Sequence, residues 1–506
     1  MKRAIRELTE LGLMSSLVVN KTYDDKIQEG DLTTLGKRAA MFPVSPRFGK
    51  LLALAAVRAT SSMNMHELSV ALVASMSCQN TPFRNLVSAQ AALERAQRLQ
   101  QQEKEEEEEE NEQDILDDEQ REKSRLEEER KLEMNLRSEL LQQWVHVRSD
   151  MLGLLRVLGA SSFVTSTSSS SSSSVSTPSK SRRRRRRRTT MLLEWCHKQR
   201  LIPKVLREMV QLREQLRKQL RLRNFVTSNW WASHAPVAAP PLNPPNKQDE
   251  QALLQLLTAS FLDRVARRVE GEHSAAYQSC DHTITEHLYV HSHSFVTPRG
   301  SRGRKSSIGV DAQYVVYKDL VRTSGKREVI VMRGVTVINP RWLPKLASGT
   351  PMLHNSGPMD DPLPCFDMRR DRLRCHVEYH YGPHRWKLPL QLEDFPSSSP
   401  KRFTWFARLL LEGSIVPAFR NLRPYYRSQP REITLSHGGS SAKRVLAILS
   451  PIREANVVTS SKLASIWRDE NPKFLRSALR HWLKKSERHR LESFWGVLLT
   501  WARSYV

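Results

Sequence analysis

Two stretches of this chain can contribute nothing to a packed core, and they divide everything that can. Gln90 to Gln142 is dominated by Gln, Glu, Arg, Lys and Asp, with an unbroken glutamate run from Glu105 to Glu110. Ser166 to Ser174 is almost pure serine, and the seven arginines Arg182 to Arg188 follow shortly after. Such tracts bury too little apolar surface to offset the entropy lost on ordering. The first reads as a long solvated helix or as a disordered acidic insertion. Its heptad-spaced apolar residues are sparse (Ile115, Leu116, Leu126, Leu132), so a coiled coil is disfavoured, and an insertion that partly helicalises fits better. The arginine run reads as a nuclear localisation signal, as a phosphate-binding tether, or as an expanded tract that adds non-specific RNA affinity.

Composition sets the other bounds. A chain of 506 residues exceeds a single core and suggests roughly two to four domains. A hydrophobic share of 39% agrees with part of it being unpacked. The net charge of +26 favours a polyanionic partner, nucleic acid or an anionic membrane surface. No apolar run approaches the roughly 18 to 20 residues of a spanning helix, which weakens the membrane option. The charged, amphipathic start, Met-Lys-Arg-Ala-Ile-Arg-Glu-Leu, is not that of a signal peptide. Cys78, Cys196, Cys280, Cys365 and Cys375 are scattered, as expected in a reducing compartment rather than in a disulfide framework. Cys365, Cys375 and His376 have the residue types of a zinc site but the spacing of no common finger, so no metal is expected.

Up to about residue 270 the periodicity is helical. The spacing predicts helices over residues 1–13, over Arg47 to Ala59 and Leu68 to Ser77, and again over Trp144 to Leu158, Thr190 to Arg223 and Gln248 to Glu270. Pro43 and Pro46 set a bend between helical units, and Ala235 to Asn246 is a Pro-rich connector. Beyond His273 the pattern turns strand-like. His287 to Phe295, Tyr314 to Tyr317 and Val329 to Ile338 are β-prone, and a Pro-Arg-Gly-Ser-Arg-Gly-Arg loop follows the first. Short strands with basic loops suggest a small barrel of the kind that binds oligonucleotides. Phe403 to Gly413 reads as a buried helix ended by Gly413.

Several of these segments resemble the DEAH-box RNA helicase family. Leu32, Thr33 and Gly36 with Phe42, Pro43 and Pro46 look like the junction at which the family's winged helix ends and its helical "ratchet" domain begins. Asp150 to Leu155, Trp195-Cys196, Leu212 to Leu216, and Phe261, Asp263, Val265, Ala266 and Arg267 resemble successive ratchet motifs. Ser149 and Ser260 stand where the family has glycine. His291, Ser294, Tyr317, Leu320, Val321, Thr323, Met332, Arg333, Trp342 and Leu343 resemble its oligonucleotide-binding-type domain. Ile338 to Pro344, the string around Phe403 to Gly413, and Asn471-Pro472-Lys473-Phe474-Leu475 look like the subgroup acting in nucleolar small-subunit ribosome biogenesis.

The resemblance implies a multidomain α plus β chain with long disordered insertions. A partial winged helix (1–42) precedes a helical ratchet domain (43–270) with insertions at 90–142 and 161–189. An oligonucleotide-binding-type β-barrel (273–374) and a mixed C-terminal domain (375–506) follow. Neither a Gly-x-x-x-x-Gly-Lys-Ser/Thr loop nor an Asp-Glu-Ala-His string nor the family's arginine finger occurs in the 506 residues. Both motor domains are therefore expected to be absent and the chain inactive as an ATPase by itself, with ATP and magnesium cofactors only of full-length relatives. On this reading Met1 is the start of an incomplete gene model or of a truncated product. Implied partners are pre-ribosomal RNA, a small nucleolar RNA and a protein activator of the small-subunit processome, in the nucleus and nucleolus, with no membrane. The alternative is a non-enzymatic RNA-binding or scaffold protein derived from a helicase. Expected RNA contacts are Arg302, Arg304, Lys305 and Arg333 around the barrel, Tyr314 and Tyr317 as stacking surfaces, and Arg213 and Arg217 on one helix face; none is expected to be catalytic.

Overall fold

A computed structural model describes residues 2–15, 31–58, 63–83, 144, 146–166, 189–222, 241–270, 276–291, 294–296, 312–323, 328–435 and 440–504. The acidic insertion and the arginine run lie outside the described residues. The chain divides into two compact units, residues 1–353 with 382–384, and residues 354–381 with 385–506.

The helical part of the first unit is built from α1 (Lys2–Glu10), α2 (Thr34–Ala39), α3 (Pro46–Arg58), α4 (Met63–Ser77), α5 (Asp150–Ser166), α6 (189–198), α7 (Pro203–Leu222) and α8 (Lys247–Ser260). Thr33 caps α2 by accepting from the Gly36 N–H, and Asn246 with Asp249 forms a reciprocal capping box on α8. Two glycines let backbones touch. A Cβ on Gly36 would lie 2.0 Å from the Leu13 carbonyl oxygen, and one on Gly49 would lie 2.5 Å from that of Ala39. The stretch from Leu32 to Ala55 therefore stacks as a tight staircase.

α4 packs against α3, α5 and α7, and it is apolar nearly all round, with Leu68, Val70, Ala71, Leu72 and Val73 almost fully buried. At the base of α3, the Arg47 guanidinium donates to both carboxylate oxygens of Asp263 and to Glu7. Next to it the Lys50 ammonium is buried and donates to the Leu11 carbonyl oxygen at 2.7 Å. Burial pushes this ammonium down to about 7.

Thr190 to Arg223, whose spacing suits one or two packed helices, is two, broken where Arg200 takes φ 52° and Pro203 restarts the helix. Two other boundaries differ from expectation. The expected helix Gln248 to Glu270 ends at Ser260. Phe261 leaves helical geometry, and Val265–Arg268 is the first strand of a barrel. Residues 161–166, expected within an insertion, belong to α5, which runs to Ser166.

The barrel contains β1 (Val265–Arg268), β2 (Tyr277–Ser279), β3 (Leu288–Val290), β4 (Tyr314–Val316), β5 (Asp319–Thr323), β6 (Val329–Arg333) and β7 (Thr336–Val337), in the order β5-β6-β3-β2-β1-β4-β7. All pairings are antiparallel except β3 with β6. Both ends of this order belong to one bent hairpin, β4–β5 with β6–β7, so the sheet closes on itself and keeps no long edge. The bend falls at Gly334, φ +63°, where a Cβ would strike Lys318 Cβ at 2.8 Å. Ala266, Tyr277, Leu288, Val315 and Met332 fill the interior. A short helix, α9 (Leu343–Leu346), follows.

The second unit starts earlier than residue 375. Strands β8 (Leu353–Pro358), β9 (Cys365–Asp367), β11 (Trp386–Lys387) and β12 (Gln391–Asp394) all pair with the long β10 (Arg372–Tyr381). On β10 Cys375 is buried and its neighbour His376 faces the other side of the sheet, so the two cannot converge with Cys365 on one ion. Five helices complete the unit: α10 (Lys401–Leu411), α11 (Ser440–Glu454), α12 (Ser460–Ser465), α13 (Arg476–Trp482) and α14 (Arg490–Ser504). Gly413 ends α10 as expected, at φ +74° and with its N–H on the Leu410 carbonyl. Trp467 meets Trp495 and Trp501 edge-on, each at 6.0 Å. The Trp467 and Trp495 indoles donate to the Phe474 and Pro472 carbonyl oxygens, which fixes the Asn471–Leu475 turn.

Two outcomes follow. Gly36→Ala costs about 3 kcal/mol or more, because a backbone carbonyl cannot yield as a side chain can, whereas Gly496→Ala, whose Cβ would meet nothing within 4 Å, is neutral or stabilising by about 0.5–1 kcal/mol. Denaturant titration of each variant reads both. For Lys50 the folded pKa is depressed, so its contribution to stability grows as pH rises above about 7 toward its unfolded value and is lost as pH falls through about 7. Lys50→Met removes that pH dependence in a thermal-melt series from pH 6 to 9.

Candidate nucleic-acid interface

The parallel pairing of β3 with β6 decides where the most basic loop leaves the barrel. Val290 lies opposite Met332, and the His291 N–H donates to the Met332 carbonyl oxygen at 3.1 Å. His291 thus sits close to Arg333. Arg333 is exposed. Its cross-strand partner Asp319 sits within ion-pair distance of Arg264 (3.5 Å) and Lys318 (3.7 Å) instead. The Arg333 charge therefore has no carboxylate partner among the described residues. Burial, helped by this adjacent cation, holds the His291 imidazole below its usual range, so the histidine is neutral at pH 7 and offers a hydrogen bond rather than a charge.

The start of the loop is fixed to the helical part. Ser294 Oγ and the Phe295 N–H both donate to the Asp150 carboxylate at 2.7 Å, and the Val335 N–H donates to it at 2.9 Å. Burial raises the Asp150 carboxyl above its usual range, and these donors oppose that shift. Arg302, Arg304 and Lys305 belong to the loop so anchored, and they lie outside the described residues.

The remaining expected contacts are elsewhere. Tyr314 and Tyr317 are corrected to core residues, 2% and 3% exposed. β4 is buried on both faces, and the Tyr317 hydroxyl is paired with Ser279 Oγ at 3.1 Å. Neither ring can present a face to a base. Arg213 and Arg217 are corrected as well. Each is 3% exposed, and they bind opposite oxygens of Glu67 on α4, at 2.9 and 2.8 Å. Their four-residue spacing faces a neighbouring helix, not solvent or phosphate.

Sequence reasoning passed over Glu67, although a lone carboxylate within an otherwise apolar helix was a usable signal. It also passed over Arg322, which lies with His287 and Tyr289 around a shallow depression. Arg322 is paired there with Glu286 at 3.0 Å and Glu328 at 3.6 Å, so the depression has both signs and is a poor phosphate site. Among the described residues no group of three or more His, Cys, Asp or Glu could hold a metal, and no helix is long and apolar enough to cross a membrane.

The described strands thus form a small closed barrel with an exposed arginine, Arg333, beside the end of β3. Residues 253–350 match the oligonucleotide/oligosaccharide-binding (OB)-fold family, and residues 418–498 match the DEAH helicase DHX37 C-terminal domain. The Arabidopsis thaliana ATP-dependent RNA helicase DEAH13 is 28% identical over 256 residues, 50% of this chain and 19% of that protein. The Caenorhabditis elegans protein rha-2, named as an ATP-dependent RNA helicase, is 25% identical over 98% of this chain and 36% of its own length. The human protein DHX37, named likewise, is 24% identical over 92% of this chain and 33% of its own length. The chain thus spans about a fifth to a third of these relatives. It resembles the C-terminal region of a DEAH-box RNA helicase.

Buried and exposed arginines separate in one experiment. Arg213→Ala leaves Glu67 short of a partner and destabilises the first unit by about 3–5 kcal/mol, read by urea titration. Arg333→Ala leaves stability within about 0.5 kcal/mol and weakens binding to single-stranded RNA, with a salt slope shallower by about 0.7, read by fluorescence anisotropy from 50 to 200 mM salt.

Proposed function

We propose that this chain is the RNA-binding and regulatory C-terminal region of a DEAH-box RNA helicase acting in ribosomal RNA processing and small-subunit ribosome biogenesis in the nucleolus. The observation carrying this reading is collinearity: the helical part, the OB-fold and the DHX37-type C-terminal segment occur in one chain that aligns with helicase relatives over 92–98% of its length. In this reading the unit-1 helices up to Phe42 are a partial winged helix, and α3 to α8 form the ratchet. The barrel rim at Arg333, with the loop carrying Arg302, Arg304 and Lys305, contacts the RNA backbone. A basic rim without a catalytic constellation suits holding a strand, through phosphate contacts that position and do not cleave.

Pre-ribosomal RNA, a small nucleolar RNA and a protein activator of the small-subunit processome are the partners proposed. ATP hydrolysis is not assigned to these 506 residues, because none of them forms a phosphate-binding loop or an Asp-Glu-Ala-His string. The purified chain is expected to show no RNA-stimulated ATPase and, when crosslinked in cells, to recover pre-ribosomal and small nucleolar RNA. Crosslinks spread evenly over messenger RNA, or none above background, would contradict the assignment.

A further inference from the structure

The second unit presents basic residues that its fold does not use. Residues 425–427, entered from the 3-10 turn Arg423–Tyr425, run antiparallel to 482–484. Tyr426 forms a bridge with Leu483, the Arg427 N–H donates to the Trp482 carbonyl oxygen at 2.7 Å, and the Lys484 N–H donates to the Tyr425 carbonyl oxygen at 3.0 Å. The inward residues of this crossing anchor it: Leu422, Tyr426, Trp482 and Leu483 are all buried in the unit's core. Their chain neighbours Arg423, Arg427, Lys484 and Lys485 are exposed. In this register Arg427 and Lys484 are diagonal neighbours, about 7–8 Å apart.

The crossing is set apart by gathering four exposed cations on one short stretch of paired backbone. Some exposed cations of the unit are matched, as Arg372 is with Asp394, Lys387 with Glu378, Lys401 with Asp360 and Arg468 with Asp469, at 2.6 to 3.0 Å. Arg423, Arg427, Lys484 and Lys485 have no carboxylate within 4.0 Å among the described residues. Holding like charges together on a rigid crossing costs electrostatic free energy, and a polyanion laid across them recovers it by releasing counterions. At the edge of the cluster Arg490, itself paired with Glu487 at 2.5 Å, lies over the half-buried Tyr425 ring at 4.4 Å, a guanidinium–aromatic contact of the kind found where proteins hold unstacked bases.

We propose that this crossing is a second RNA-binding surface, separate from the barrel rim, which takes the phosphate backbone of single-stranded RNA. The inference rests on the proposed RNA-binding role and assigns part of it to the second unit. RNA is favoured over an acidic protein segment by the adjoining aromatic–guanidinium stack and by the OB-fold in the same chain.

The test compares three variants of the 506-residue chain by anisotropy with a labelled single-stranded RNA across a salt series. The first carries Arg423→Ala, Arg427→Ala, Lys484→Ala and Lys485→Ala. The second replaces the matched cations Arg372, Lys387, Lys401 and Arg468 by alanine. The third is Arg333→Ala. Each phosphate contact removed takes about 0.7 off the log–log salt slope. The first variant is therefore expected to lose up to about 3 in slope and at least tenfold in affinity at 100 mM salt, and the second to change little. Equal losses in the first two would reduce the effect to net charge and overturn the surface. If Arg333→Ala weakens binding and the first variant does not, the surface is refuted while the RNA-binding role stands. If no form of the chain binds, that role fails first. Unchanged RNA affinity together with lost binding to a poly-glutamate peptide would make the surface a protein-docking site and overturn the proposal. Near-ultraviolet circular dichroism verifies that each variant is folded.

Discussion

The first unit depends on one buried carboxylate. Asp150 opens α5, and its side chain accepts from Ser294, Phe295 and Val335, while its own N–H donates to the Val335 carbonyl. The residues before it continue the attachment. Ser149 pairs with Thr336 through a backbone bridge and a 2.7 Å hydroxyl contact, and the Val337 N–H donates to the Arg148 carbonyl. The helix start thus extends the barrel sheet at the point where the hairpin bends through Gly334. A carboxylate taken out of water is tolerated only when such donors surround it. These donors come from two segments, Ser294–Phe295 and Val335, both far from Asp150 in sequence, so the helical part and the barrel hold each other in place. The same donors fix the departure of the loop that carries Arg302, Arg304 and Lys305.

Much of the helical architecture was legible in the sequence, because amphipathic spacing and helix punctuation are local signals. Pro46 opening α3 and Gly413 closing α10 are examples. The first barrel strand was not legible. Phe261, Leu262, Val265 and Ala266 continue a helical spacing, and only the break at Phe261 with the antiparallel partners Gln278 and Val315 makes Val265–Arg268 a strand.

The candidate site was less legible than the fold. Exposure separates an arginine that binds phosphate from one that neutralises a buried glutamate, and exposure is a tertiary property. Arg213 and Arg217 pair with Glu67, 146 and 150 residues away, and nothing within their own helix marks that partner. Tyr314 and Tyr317 carry the composition of a stacking platform, yet Tyr314 lies in a strand buried on both faces and Tyr317 is buried just after it. Arg333 stays exposed because Asp319 is engaged by Arg264 and Lys318. On the second unit, the cations around the core residues Trp482, Leu483 and Tyr426 become meaningful only once the crossing joins two distant segments.

On the reading proposed, RNA meets this chain on exposed cations of the barrel rim and of the second unit, and not on the helix that carries Arg213 and Arg217. Ultraviolet crosslinking of the purified chain to single-stranded RNA, with the attached peptides identified by mass spectrometry, tests it most directly. Crosslinks are predicted in residues 291–312, near Arg333, and in residues 423–427 and 482–490. Crosslinks concentrated on α7, or on the Arg322 depression with its mixed charges, would contradict it.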